Sequence, residues 1–128
     1  MTHFEIISYG KLHDDDPEAH VHVDLRTLLR DPHLDPALRE LTGINEAVRQ
    51  NVLRQPGAVA LVGSITTLAE AVCLASAPGE AVRVGIACAG GRHRSVVIAE
   101  AVATVLIQRT TWDVRLIHRH VRRPVVTR

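Results

Sequence analysis

The residue types most capable of chemistry in this chain fall in one stretch, Cys88-Ala89-Gly90-Gly91-Arg92-His93-Arg94-Ser95. It gathers a thiol, two guanidinium groups, an imidazole and a hydroxyl around a glycine pair. Guanidinium groups suit bidentate contact with phosphate oxygens. Glycine lets the backbone come close to a ligand, because no Cβ stands in the way. The residues after the pair read as the start of a helix, whose first N–H groups lack intrahelical acceptors and whose dipole is positive at that end. Ser95 can cap this helix or donate its hydroxyl. The combination predicts an anion site, for a phosphate group above all.

The elements around the loop must hold it. Val82–Ala87 is a short Val- and Ile-rich run and reads as a buried strand. After the glycine pair, Ala, Val, Ile, Leu and Glu continue to Arg109 with no Pro or Gly, which reads as a helix. Upstream, Phe4–Ser8 predicts a first strand that ends near Gly10, and His20–Arg26 a second, with Asp24 and Arg26 two residues apart on one face at its end. Leu12–Ala19 is a polar loop. Its run Asp14-Asp15-Asp16, near His13, His20 and His22, fits no defined metal spacing and reads as a solvated acidic loop. Asp31–Pro36 is proline-punctuated loop, and Gly43 stops any short helix over 38–42. Asn45 predicts the N-cap of a helix through Gln55. A nearly all-apolar helix follows over Ala58–Ala77, suited to burial or an oligomer face. Asp113–Arg119 predicts a last strand, and the tail, about 119–128, is basic and reads as frayed. The order β-β-α-α-β-α-β predicts one α/β domain, a mostly parallel sheet flanked by helices. Ligands of such sheets sit beyond the carboxyl ends of the strands, which brings Asp24 and Arg26 to the same cleft as the loop.

Composition narrows the class. The 128 residues are 46% apolar but only 2% aromatic, so the core must be Val, Leu, Ile and Ala. No apolar run reaches the roughly 18 residues of a membrane span, and no signal segment leads the chain. Two cysteines make no disulfide framework. The reading is a cytoplasmic domain of residues 1–128 with no membrane, metal or cofactor. Charge is uneven: residues 1–64 carry 6 Lys/Arg against 10 Asp/Glu, and residues 65–128 carry 9 against 4. The basic second half makes Arg115, Arg119, Arg122 and Arg123 candidates for RNA contact.

Two resemblances attach to these residues. Cys88, Gly91, Arg94 and Ser95 satisfy Cys-x-x-Gly-x-x-Arg-Ser, similar to the phosphate loop of Cys-dependent tyrosine phosphatases. That resemblance implies Cys88 as thiolate nucleophile, Arg94 as phosphate clamp, and Asp31 or Asp35 as acid; Ala87 stands where most of these enzymes have His. The second covers nearly the whole chain. Ser8-Tyr9-Gly10, Val23-Asp24-Leu25-Arg26, Asp31-Pro32-His33, Leu38–Gly43, Cys88–Val96 with Ala99-Glu100, and His118-Arg119 resemble the C-terminal domain of the RapZ (YvcJ) family of RNase adapter and nucleotide-binding proteins. This resemblance implies a phosphofructokinase-subdomain-like fold and a pocket for an amino-sugar phosphate such as glucosamine-6-phosphate. It also implies RNA binding and self-association. Carried over by position, the pocket takes Asp24, Arg26, Ala89, Gly90, Arg92, His93 and Arg94, with Cys88 and His33 beside it. Ala89 stands where the family usually has Thr. Family members add a kinase-like domain with a Gly-x-x-x-x-Gly-Lys-[Ser/Thr] loop. This chain has no such motif, so nucleotide hydrolysis is not implied, and a partner would have to supply that domain. The overall expectation is a non-catalytic sensor or adapter module, with a Cys88-dependent phosphatase as the alternative.

Overall fold

Two seven-residue strands, β1 (Phe4–Gly10) and β3 (Val82–Cys88), run side by side in parallel and carry the rest. Between them in sequence come β2 (Val21–Asp24), α1 (Glu46–Leu53) and α2 (Ala58–Ala75); after them come α3 (Arg94–Arg109) and β4 (Val114–His118). A 3-10 turn covers Pro32–Leu34. The computed structural model describes residues 3–127; Met1, Thr2 and Arg128, inside the expected domain and tail limits, lie outside the described residues. The sheet order is β2-β3-β1-β4, with every pairing parallel. The chain is thus a single α/β domain with a four-stranded parallel sheet and three helices.

Alternation along the strands sorts the two faces. Phe4 and Ile6 of β1 stand beside Val82 and Val84 of β3 in register. They share one cluster with Val48 and Val52 of α1, Val62, Ile65 and Ala69 of α2, and Val97, Ile98, Val102 and Leu106 of α3. All three helices therefore cover the same face. The opposite face carries the row Arg83–Glu5–Arg115, with Nε–Oε1 at 3.1 Å and Nη1–Oε2 at 3.9 Å. The loop after β1 folds over this face: Tyr9 is buried and donates its hydroxyl to Asp16 at 2.7 Å. Burial, then that bond to a carboxylate, pushes the Tyr9 phenol well above its ordinary range.

β1 ends at Gly10 as expected, where Gly10 still pairs with Cys88. Other element ends depart from the sequence expectation for identifiable reasons. β2 stops at Asp24 because the next residues turn, Arg26 N–H donating to Asp24 Oδ1 at 3.0 Å. Residues 38–43 form turns rather than a helix, and Gly43 N–H is taken by Arg92 O at 2.7 Å. Asn45 does sit at the N-cap of α1, but its side chain accepts from Thr42 N–H at 2.8 Å and leaves the helix amides alone. α2 is 18 residues long with a mean hydropathy of 1.9, the length and composition of a membrane span. Its Val62, Ile65 and Ala69 belong to the core and Glu70 pairs with Arg109 at 2.9 Å, so it serves as a core helix. Its outer side leaves Val59, Leu68 and Leu74 exposed. The tail is anchored at its start rather than frayed: Arg119 N–H donates to Ser8 O, Arg123 N–H to His120 O, and His120 and Val121 are buried.

Candidate anion-binding site

β3 delivers Cys88 to the carboxyl edge of the sheet, and α3 starts six residues later at Arg94 with His93 as its N-cap residue. The glycine turn between them is locked by close backbone packing. Gly91 has φ of +72°, a conformation that favours glycine. A Cβ there would lie 2.7 Å from Gly10 N and 2.9 Å from His120 Cβ. A Cβ on Gly10 would lie 2.5 Å from Gly90 C. Part of what the glycines permit is therefore the approach of one backbone to another.

The turn is rich in unspent donors. Among the described residues, no carbonyl or side chain accepts from the amides of Gly91 through Val96. Ser95 lies inside α3, and its hydroxyl meets Cys88 Sγ at 3.1 Å instead of capping the helix. Arg92 Nε and Arg94 Nε are also buried without partners. The outer nitrogens of both guanidinium groups are engaged. Arg92 donates to the carbonyls of Glu40, Leu41 and Arg123. Arg94 Nη1 faces the carbonyls of Leu25, Arg26, Leu28 and Leu29, and Nη2 pairs with Asp31 Oδ2 at 3.1 Å.

His93 Nε2 stands 3.1 Å from Arg39 O, so this nitrogen carries the ring proton. Burial pulls its pKa below the ordinary value, which keeps the ring neutral. Asp24 and Arg26 form a forked pair, Arg26 Nη2 to Asp24 Oδ2 at 2.8 Å and Nε at 3.1 Å from both carboxylate oxygens. That hydrogen bonding from Arg26 holds the Asp24 carboxyl below its usual range. Lys11 Nζ lies 4.0 Å from Asp24 and 2.9 Å from Asp16. Gly90 through Ser95 are buried, whereas Asp24 and Arg26 are open to solvent and Ala89 partly so. His33 sits on the 3-10 turn whose Asp31 side chain accepts from His33 N–H at 3.0 Å. RNA candidates Arg115 and Arg122 are exposed. Arg119 pairs with Asp14 at 3.7 Å, and Arg123 is tied to the loop through its carbonyl.

A family model described as the RapZ C-terminal domain matches residues 2–122. The chain belongs to that family. A nucleotide-binding protein of Gluconobacter oxydans is 42% identical over 91 residues, covering 70% of this chain and 28% of that protein. One of Corynebacterium aurimucosum is 34% identical over 126 residues, covering 96% of this chain and 42% of that protein. One of Corynebacterium glutamicum is 32% identical over 127 residues, covering 94% and 40%. The chain thus spans well under half the length of these relatives. In this RapZ-type domain the separated stretches Ser8–Gly10, Glu100 and His118 meet: Ser8 Oγ is 2.6 Å from His118 Nδ1, and His118 Nε2 is 3.1 Å from Glu100 Oε1. The set has the residue types of a hydrolytic triad. Ser8 is fully buried inside β1, so the set ties β1, β4 and α3 together and offers no reachable nucleophile.

Sequence reasoning did not find Gly10 or His120 as parts of the site, and it named Asp31 as an acid rather than as the counter-ion of Arg94. Gly10 was visible only as the end of a matched stretch. No local signal marks His120, because its partners lie 110 and 29 positions away.

Proposed function

We propose that this domain is a non-catalytic binding module, a sensor or adapter, that takes a phosphorylated metabolite of the amino-sugar phosphate class at the Cys88–Ser95 loop. The observation that carries the reading is the surplus of buried donors: the amides of Gly91 through Val96 and the Nε groups of Arg92 and Arg94 have no protein acceptor among the described residues. Buried donors left unmade cost about 1–3 kcal/mol each, so an arriving phosphate is repaid on contact. Asp24 at the open side stays ionised and suits an ammonium group. The phosphatase reading fits less well. Arg94 is occupied by carbonyls, Asp31 is its counter-ion, and the Cys88 thiol is 3% exposed and turned to Ser95.

Titration calorimetry with glucosamine-6-phosphate, glucose-6-phosphate and inorganic phosphate tests this. Binding of all three is expected, tightest for the amino sugar, with the preference lost in Asp24→Asn; no heat from any of them removes the proposal. Cys88→Ser should bind as the parent does and hydrolyse no aryl phosphate. Parent turnover that disappears in Cys88→Ser would install the phosphatase instead.

The same reading extends to partners in a cytoplasmic setting. The arginines of β4 and the tail suit RNA phosphates, and a gel shift that weakens steeply with salt and fails when Arg115, Arg119, Arg122 and Arg123 are changed to Gln checks this. The exposed apolar side of α2 suits self-association. The longer relatives leave room for a partner or segment that supplies a kinase-like domain.

A further inference from the structure

We propose that His120 is a pH-operated latch on the glycine turn: as a neutral imidazole it holds Gly10, and through Gly10 the Gly90-Gly91 backbone, and as an imidazolium it lets go. The holding contact is a buried hydrogen bond from Gly10 N–H to His120 Nδ1 at 2.8 Å. A ring nitrogen accepts only while it carries no proton. Protonation would set an N–H against an N–H where His120 is 4% exposed and water cannot intervene. A backbone donor would then be stranded as well, which is costly in a buried place.

The contacts around the latch leave no slack to absorb that change. A Cβ at Gly91 would meet both Gly10 N and His120 Cβ within 3 Å, and one at Gly10 would meet Gly90 C at 2.5 Å. Ring, strand end and turn are therefore in direct succession, and a displaced ring must displace the turn. The charged and titratable groups facing the ring argue the same way. His13, from the loop after β1, packs against it with the rings tilted by 40° and 5.0 Å between centroids, its own Nε2 buried and unpartnered. Arg119 and Arg123 of the tail add positive charge. Asp14, from the loop after β1, favours the charged ring but is itself paired with Arg119 at 3.7 Å. Burial first, then His13 and Arg123, pull the His120 pKa below its ordinary 6.5. The folded state thus prefers the neutral ring. The latch is closed at neutral and alkaline pH, and it is lost as pH falls through the lowered folded value. Below that point the closed population should fall by up to about tenfold per pH unit. The inference does not depend on what the loop binds.

A proton–nitrogen NMR titration of the whole chain from pH 8 to pH 5 tests it. Expected are a His120 Nδ1 without a proton at pH 7.5, and amide shifts of Gly10, Gly90 and Gly91 that follow the His120 ring titration on one curve. Protection of the Gly10 amide, corrected for intrinsic exchange, should fall with them. His120→Asn supplies an amide oxygen that accepts but does not titrate, so these curves should flatten while Gly10 stays protected. A protonated Nδ1 at pH 7.5, glycine shifts that stay still while His120 titrates, or a variant that titrates like the parent would each overturn the latch. Should His120→Asn fail to fold, the two parent measurements decide the matter alone.

Discussion

Gly10→Ala is expected to destabilise the domain by about 3 kcal/mol or more, because the added methyl has nowhere to go. Its carbon would lie 2.5 Å from Gly90 C, 2.7 Å from Gly90 O and 2.8 Å from Gly91 N. All three neighbours are backbone, so no rotamer change relieves the overlap. The alternatives are to pull β1 from β3 at its carboxyl end, or to push the turn off the start of α3. Either disrupts the unspent amides proposed to cradle an anion, so binding should fall along with stability. Gly63→Ala makes the matched control. Gly63 lies in α2 with nothing within 4 Å of an added Cβ, so the same substitution should stabilise by about 0.5–1 kcal/mol through helix propensity. Urea denaturation of the two variants beside the parent measures both signs. A loss under about 1 kcal/mol in Gly10→Ala would show that the strand end and the turn are not in contact in solution.

What could be read from the sequence and what could not divide along the range of the forces involved. β3, the turn and α3 were legible because each rests on local features: a β-branched run, a glycine pair, then a stretch without breakers. The parallel sheet was legible from the order of elements, since crossover helices leave little other choice. Side-chain direction at the loop was not legible. Arg92 and Arg94 read as phosphate donors by type, but the carbonyls that take their outer nitrogens belong to residues 25–29, 40–41 and 123. Asn45 shows the same limit on a smaller scale: the residue type marked the helix start, while the group it serves lies before the helix. The tail read as frayed because Arg122-Arg123-Pro124 is polar and breaks structure. Its hold comes from His120 and Val121, whose burial depends on β1 and the turn.

Arg94→Met should destabilise the domain by about 3–5 kcal/mol, the cost of removing one partner from a buried ion pair. Arg94 is 4% exposed and Asp31 Oδ2 is 3.1 Å from Nη2. Methionine keeps much of the volume but takes the cation away from Asp31 and the donor away from the carbonyls of Leu25, Arg26, Leu28 and Leu29. These carbonyls converge because the chain turns tightly after β2, with Leu29 at φ of +60°, a conformation unfavourable to leucine. Arg94 is the side chain that gathers them, so its loss should release the turn that carries Arg26 past Asp24. Arg94→Lys keeps the charge but offers a single nitrogen for a forked set of acceptors, and should fall between parent and Met. A phosphate clamp of the phosphatase kind predicts something different: an arginine free to grip the ligand, whose removal ends binding while stability hardly changes. Denaturation and phosphate titration on the same two variants separate these roles. A large loss of stability in Arg94→Met, partly recovered in Arg94→Lys, identifies the guanidinium as the anchor of the 25–31 segment. The anion would then be left to the loop amides and the inner Nε groups.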